Sequence, residues 1–180
     1  MEKKSKRYTG GAAIMIKVPP TVPDDLTRIS RALWGHEQEG RVALNPEDYH
    51  MTLQFLGRDL PAETISSAIA SAFAFADQHG PIFMRFTGRF KTNFTRKGRY
   101  LTLEIDKDEL ICEARARLVQ CLLDRQVTPK DEFEFNPHMT LVELAPGGGQ
   151  LVTPGPVDPF VVECRKMIVK YGAYRMTVEL

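Results

Sequence analysis

Two histidines of this chain begin the same four-residue sequence, and as a pair they could transfer protons. The tetrapeptide His-Met-Thr-Leu occurs at positions 50–53 and again at positions 138–141. Each copy lies in sequence typical of a β-strand, where successive side chains point to opposite faces. The histidine and threonine of a copy therefore share one face, and its methionine and leucine share the other. A strand with His and Thr over an apolar back can form one wall of a site.

The chemistry follows from histidine being the side chain that titrates near neutral pH. With one imidazole neutral and the other protonated, a base can activate a nucleophile while an acid protonates the leaving group. Repulsion between two imidazolium ions favours a single shared proton. The hydroxyls of Thr52 and Thr140 add donors beside His50 and His138. Such a set suits in-line displacement at phosphorus, where a negatively charged centre lies between an entering and a leaving oxygen.

Other uses of these residues fit the sequence less well. A lone His-x-Thr is usually just a half-exposed strand, but here two of only four histidines carry the same following residues. His50 and His138 provide too few ligands for a metal, and neither has a carboxylate or cysteine at the usual ligand spacing. A serine hydrolase is disfavoured because no Gly-x-Ser-x-Gly sequence occurs. We therefore expect no metal and no other cofactor.

The positions of both motifs depend on elements that the sequence pattern predicts along the chain. An internal offset relates the two motifs, since 138 − 50 = 88, and the same offset carries the strand at position 12 onto a strand at position 100. Strand, helix and His-x-Thr strand thus occur twice, which indicates a duplicated unit. The predicted strands cover 12–18, 49–57, 82–90, 100–105, 137–144, 160–170 and 174–180; the predicted helices cover about 21–34, 62–78 and 107–124.

Composition sets the frame for these elements. The 180 residues are 43% hydrophobic and 26% charged with a formal net charge of +1, so any basic site must be local. We expect a flexible basic tail at 1–10 and a single domain of two lobes at 11–180, acting as a monomer. The pattern predicts neither a signal peptide nor a membrane span, and we expect no membrane partner. The three cysteines are odd in number, and Cys112 and Cys121 fall on opposite sides of one helix, so a reduced cytoplasmic location is predicted.

The motifs resemble those of a known family. Residues 50–57 read HMTLQFLG and residues 136–141 read NPHMTL, which look like the paired His-x-Thr signatures of the 2H phosphoesterase superfamily. The resemblance is greatest to its RNA 2′,3′-cyclic phosphodiesterase branch, also called 2′-5′ RNA ligase or LigT-like. It implies a bilobal α+β fold of two mainly antiparallel sheets with outer helices, a pseudo-twofold duplication and a cleft between the lobes.

The resemblance also implies an activity. It is hydrolysis of a 2′,3′-cyclic phosphate on an RNA or nucleotide end without a metal, with His50 as proton donor, His138 as proton acceptor, and Thr52 and Thr140 binding phosphate. One alternative is an enzyme of the same fold that cleaves cyclic or 2′-5′-linked oligonucleotides, including signalling molecules. Another, from a different class, is a non-catalytic RNA-binding module whose histidines only grip phosphate.

A basic stretch between positions 85 and 99 contains six cations, no acidic residue and interleaved phenylalanines. Cations attract phosphate, and aromatic rings stack on bases, so the loop predicted at 91–99 is a candidate for contacts with an RNA substrate. The residues of that loop that we predict to bind substrate are Phe94, Arg96, Lys97 and Arg99. In the strand before the loop, the simpler interpretation is that the phenylalanines face the core and the cations are solvated.

Overall fold

β-Strands are the most frequent element in the computed structural model, which describes residues 10–20, 41–43, 45–95, 98–130, 134–144 and 153–180. Two α-helices, α1 and α2, and a short 3-10 helix lie between the strands. The helices span Ala62–His79 (α1), Glu109–Leu123 (α2) and Pro46–Asp48 (3-10). The strands are β1 Gly11–Lys17, β2 Arg41–Ala43, β3 His50–Arg58, β4 Ile82–Thr95, β5 Gly98–Ile105, β6 His138–Leu144, β7 Phe160–Cys164, β8 Lys166–Tyr171 and β9 Tyr174–Glu179.

The strands form one antiparallel sheet in the order β7-β4-β5-β6-β3-β1-β8-β9, with β2 paired to β6. The predicted α+β class is therefore confirmed. We call β3, β1, β8 and β9 the first half, and β7, β4, β5 and β6 the second half. Within the described residues, the halves are joined at the single pair Met51–Met139. The two sheets that we predicted are thus two halves of one sheet.

The sheet bends strongly between its halves. Strand β7 ends at Cys164 and β8 begins at Lys166, although five strands lie between β7 and β8 in the sheet. Two residues span at most about 7 Å, whereas six strand spacings in a flat sheet span about 29 Å. The two halves must therefore approach each other around Arg165, which marks a bend in the sheet.

Both helices pack against each other on the apolar side of the sheet. Helix α1 contacts β8 and β9, and α2 contacts β4 and β3. Helix α2 begins where the Asp108 carboxylate accepts a hydrogen bond from the Ile111 N–H at 3.0 Å, which satisfies a free backbone donor. Alternate strand residues from both halves, such as Met51 and Met139, are fully buried in one hydrophobic cluster. The opposite face of β3 and β6 is left for polar residues.

Two predicted elements differ from the structure. The prediction of a loop at 91–99 was wrong, because β4 continues to Thr95 and β5 begins at Gly98. Phe94 of β4 is paired with Arg99 of β5. Polar and basic residues are tolerated in these strands because an antiparallel sheet can leave one face in water. The strand predicted at 160–170 is two strands. Its first part pairs with β4 and its second part with β1 and β9, so the bend falls within it.

Several predictions concern residues that lie outside the described part of the chain. They are the basic tail and the first helix at about 21–34. Because the first helix belongs to one of the two repeated units, the duplication and the cleft stay predictions, as does the single domain at 11–180. In the described ranges, no helix is long and apolar enough to cross a membrane. Cys112 and Cys121 both lie on α2 and are free, and burial raises the pKa of the Cys164 thiol to about 12.

Candidate active site

The two His-x-Thr motifs lie on neighbouring strands, each at its strand's first residue. Strand β3 begins at His50, and β6 begins at His138. The strands are antiparallel and pair where Met51 lies opposite Met139. Since both methionines are fully buried, the residues on either side of them point to the other face of the sheet. The structure therefore brings both motifs together on one face.

The register sets how the four polar side chains face one another. With Met51 opposite Met139, antiparallel pairing places Thr52 opposite His138 and His50 opposite Thr140. The two histidines are then diagonal neighbours, and such neighbours lie roughly 7–8 Å apart in a regular pair. A tetrahedral phosphate fits between two imidazoles at about this separation, with one threonine hydroxyl on each side.

Each imidazole is oriented by a backbone carbonyl two residues earlier in the chain. The Nδ1 atom of His50 lies 2.8 Å from the carbonyl oxygen of Asp48, and the Nδ1 atom of His138 lies 2.8 Å from that of Asn136. A carbonyl oxygen only accepts hydrogen bonds, so each Nδ1 carries the proton and donates it. Within the described part of the chain, no partner engages the Nε2 atom of either ring, so Nε2 can accept a proton when the ring is neutral and donate one when it is charged.

The segment before His50 is held by local hydrogen bonds and one ion pair. The side chain of Asn45 caps the 3-10 helix by accepting a hydrogen bond from the Glu47 N–H at 3.0 Å. The Asp48 carboxylate then pairs with Arg175 of β9 at 2.8 Å. The carbonyl that orients His50 is therefore fixed from two sides, which keeps the imidazole in one orientation.

Residues of opposite charge lie across the strands from the two histidines. The residue paired with His50 is Lys17, whereas the residue paired with His138 is Glu104. The Glu104 carboxylate accepts hydrogen bonds from the side chains of Arg89, at 2.8 Å, and Lys91. The hydrogen bond from Lys91 is the main cause that lowers the pKa of Glu104, so this carboxylate stays ionised. A role for Glu104 at the site was not predicted, because no local feature of the sequence indicates the register between strands.

The pKa of His50 is lowered from its ordinary value of 6.5. Burial is the main cause, because it penalises the charged imidazolium, and the nearby cations Lys170 and Arg175 act in the same direction. The hydrogen bond to the Asp48 carbonyl and the Asp48 carboxylate oppose this shift. In the free protein His50 therefore favours the neutral form at neutral pH.

The lowered pKa of His50 leads to a testable prediction for the Lys170→Met variant. Removing a cation makes protonation of the imidazole less costly, so we expect the pKa of His50 to rise towards 6.5. The imidazole titration followed by NMR measures the shift. Lys166→Met, on the same strand but paired with Glu179 at 3.1 Å, is the matched control and should leave the titration unchanged. A wild-type His50 that titrates above 6.5 would contradict this electrostatic description.

Two adjoining cavities flank the histidines, and both are lined by Thr52 and Phe55. The cavity beside His50 has a volume of about 430 Å³ and includes basic side chains. The cavity beside His138 has a volume of about 260 Å³ and includes more aromatic surface. Other lining residues are Arg58, Lys170 and Met15 in the first cavity, and Leu53, Arg115, Phe135 and Asn136 in the second.

The second cavity is held together by the buried amide of Gln54. Its Nε2 atom donates to the carbonyl oxygen of Lys130 at 3.2 Å, and the Lys130 N–H donates to the Phe55 carbonyl at 3.2 Å. These bonds attach the segment before the second motif to β3. The guanidinium of Arg115 lies 4.9 Å from the ring centroid of Phe135, which makes a cation–π contact at the cavity wall.

The two predicted substrate-binding residues that the structure describes, Phe94 and Arg99, do not lie beside the histidines. Arg96 and Lys97 are outside the described part of the chain. Phe94 is 74% exposed, and the Arg99 guanidinium lies 5.9 Å from its ring centroid. Arg99 pairs with Leu144, six residues along β6 from His138, which is about 20 Å away. These residues can reach only a substrate of several nucleotides, and their role stays a prediction.

The arrangement of the site is suited to proton transfer on both sides of a phosphate. Both Nε2 atoms lack a hydrogen-bond partner among the described residues, both threonines are on the same face, and cations lie on the side of His50. Among the described residues, no group of three or more His, Cys, Asp or Glu side chains could hold a metal ion.

Comparison with known proteins defines the class of fold. No family model matches the sequence, and no curated protein matches it either. Solved structures do match along nearly the whole chain. The protein TT0787 of Thermus thermophilus is 17% identical with a TM-score of 0.64, covering 95% of each chain. The chain therefore has the LigT-like fold that the resemblance of its motifs implied.

Two further solved structures match the fold of this chain. E. coli LigT complexed with 3′-AMP is 13% identical with a TM-score of 0.63, covering 97% of this chain and 96% of that one. The MHV ns2 PDE domain is 14% identical with a TM-score of 0.54, covering 85% of this chain and 97% of that one. At these identities the likeness concerns the fold alone, so the activity must be argued from the site.

Proposed function

We propose that this chain is a 2H phosphoesterase that hydrolyses a 2′,3′-cyclic phosphate on an RNA or nucleotide end without a metal ion. The observation that carries the proposal is the matched orientation of two histidines on one face. Each donates from Nδ1 to a backbone carbonyl at 2.8 Å, and each is left with a free Nε2. This geometry supports two proton transfers at one phosphorus centre.

In this mechanism a water molecule attacks phosphorus in line with the ester oxygen that leaves. One imidazole takes the proton of the water through Nε2, and the other gives its proton to the leaving ribose oxygen. The P–O bond to water forms as the ring P–O bond breaks, so the product is a phosphomonoester. The hydroxyls of Thr52 and Thr140 donate to the non-bridging oxygens, where negative charge develops.

The resemblance assigns the proton donor to His50 and the acceptor to His138, and we keep this assignment in the proposal. A donor must be protonated when substrate is bound, although the free protein favours neutral His50. A bound phosphate would offset the lowered pKa of His50, because an anion beside an imidazole favours its charged form. Substrate binding would thus favour the protonated form of His50, which the donor role requires.

The cavities and the comparisons support a nucleotide as the substrate. The smaller cavity beside His138 offers Phe55 and Phe135, which are suited to the apolar faces of a nucleobase. LigT has been crystallised with 3′-AMP, with ATP and with NADP+, all of which contain nucleotide phosphates. By the same reasoning, Phe94 and Arg99 would contact only the more distant part of an RNA chain.

The proposal is tested by a product assay over three substrate classes: nucleoside 2′,3′-cyclic phosphates, RNA with a 2′,3′-cyclic phosphate end, and cyclic or 2′-5′-linked oligonucleotides. We expect the first two classes to give phosphomonoesters, at rates that excess chelator does not change. Turnover restricted to the third class would favour the alternative enzyme of the same fold. Binding without turnover of any class would indicate an RNA-binding module. Inhibition by chelator that added metal reverses would refute the metal-independent mechanism.

A further inference from the structure

The larger cavity contains more positive charge than the reacting phosphate requires. Arg58 at the end of β3 and Lys170 of β8 both line it, together with His50 and Thr52. Among the described residues, no carboxylate lies within ion-pair distance of either cation. The nearest acidic group in sequence, Asp59, already accepts a hydrogen bond from the Gly10 N–H at 2.8 Å. These two cations are therefore free to bind an anion.

The register of β1 shows how the cations are spaced. On the face of the site, β1 presents Met15 opposite Thr52, then Ala13 beside Lys170, then Gly11 opposite Arg58. Each step is two residues, which is about 7 Å along a strand. Lys170 thus lies about one step and Arg58 about two steps from the level of Thr52. We call this row, from Thr52 past Lys170 to Arg58, the β1 trough.

The floor and rim of the β1 trough are shaped by small residues. Ala13 and Gly11 form the floor, so the trough stays open between the cations. At the rim, a Cβ added to Gly10 would lie 3.2 Å from the Cα of Gly172, and Gly10 has φ +105°, so glycine is required there. The Gly172 N–H donates to the Gly11 carbonyl at 3.1 Å. Since the amides of Gly10 and Gly172 are engaged, Arg58 and Lys170 are the groups left to hold an anion.

We propose that the β1 trough binds a second phosphate of the substrate, the one that precedes the cyclic phosphate along the chain. The inference rests on the proposed function, because the reacting phosphate defines where the trough begins. Lys170 lies near enough to serve both phosphates, whereas Arg58 reaches only the second. The preferred substrate is therefore an oligonucleotide end that carries an additional phosphate, and a nucleoside 2′,3′-cyclic phosphate alone is a poor substrate.

The test compares three substrates that share one cyclic phosphate. They are a nucleoside 2′,3′-cyclic phosphate, the same compound with a 5′-phosphate, and a dinucleotide with an internal phosphodiester and a 2′,3′-cyclic end. A hydrogen bond to a charged group favours binding by roughly 10- to 100-fold. We expect kcat/KM of the wild-type protein to be higher for the dinucleotide than for the nucleoside by about this factor. A gain for the 5′-phosphorylated compound too would mean that phosphate alone is recognised, while a gain for the dinucleotide only would mean that the internal diester is.

Arg58→Met should abolish most of this preference, and Arg58→Lys should restore part of it, because lysine keeps the charge but not the two-pronged geometry. Arg58 is the better site for the test, since Lys170 also shifts the pKa of His50. Arg125→Met is the matched control, because it removes the same charge at a position beyond the end of α2, away from the trough. Its ratio of dinucleotide to nucleoside kcat/KM should equal that of the wild type.

Two outcomes would overturn the β1 trough as a phosphate site. One is a wild-type protein that turns over all three substrates equally. The other is an Arg58→Met variant that keeps the wild-type preference while its melting temperature is unchanged. If no substrate is turned over, the proposed function fails separately. Calorimetric binding of a dinucleotide 3′-phosphate against a nucleoside 3′-phosphate then tests the trough, and equal affinities would overturn it.

Discussion

Alanine in place of His50 or His138 is expected to lower kcat for opening a 2′,3′-cyclic phosphate by about 10²–10⁴-fold, because each ring supplies one of two proton transfers. The double variant should lose much less than the product of the two single losses, since the two groups act in one step. The wild-type pH–rate profile should be bell-shaped, because one ring must be protonated and the other neutral. Rates are measured on one cyclic substrate at saturating concentration.

The matched control for these variants is His79→Ala. His79 is the last residue of α1 and stacks on Phe75 at a centroid distance of 4.7 Å, away from both site cavities. Its loss should leave kcat near the wild-type value. Melting temperatures of all variants show whether the fold survives. If either site variant kept full activity with an intact fold, the paired mechanism would be wrong.

The second large effect concerns which histidine gives the proton. On a 2′-deoxynucleoside 3′-(p-nitrophenyl) phosphate, which has no 2′-hydroxyl to attack in place of water, the leaving group departs without needing a proton, so a general acid contributes little. We expect His50→Ala to lose less than about 10-fold on this ester, while it loses about 10²–10⁴-fold on the cyclic phosphate. His138→Ala should lose a similar factor on both substrates, because the attacking water still needs a base.

The opposite pattern would reverse the assignment of the two roles. If His138→Ala instead lost little activity on the p-nitrophenyl ester, His138 would be the donor and His50 the base. The residues paired with the two rings have opposite charges, since Lys17 is paired with His50 and Glu104 with His138. The two rings are therefore not equivalent, and the test distinguishes them. Thr52→Val is a useful companion control, because it removes a hydroxyl at the phosphate and should slow both substrates alike.

Much of the secondary structure could be predicted from local sequence. Helix α1 runs from Ala62 to His79, close to the predicted 62–78, because its apolar stripe repeats every three to four residues and Gly80 ends it. The loop that we predicted at the end of the basic stretch was wrong, because the local pattern there is weak. Alternation in Lys91 to Thr95 is weak, and only pairing with β5 makes this segment a strand.

The chemistry of the site was predictable in part. Repetition of the His-x-Thr motif indicated two histidines on polar strand faces, and the structure places both motifs on one face. The neighbours of the histidines were not predictable. Glu104 and Lys170 come from β5 and β8, and they reach the site only through strand pairing between distant segments, whereas Arg58 lies on β3 with His50 and is placed by its pairing with β1. Nothing within a few residues of these positions indicates such a role.

Local sequence was sufficient to show which residues alternate between polar and apolar faces, where α1 and α2 form, and which two motifs could share a reaction. These properties depend on contacts between residues at most four positions apart. Only the folded chain shows that Met51 lies opposite Met139, that Arg165 marks the bend, and that cations with no ion-pair partner among the described residues line the cavity on the side of His50. The physical reason is that strand order and register follow from burying the apolar faces of distant strands and of both described helices in one core, which no local segment can specify.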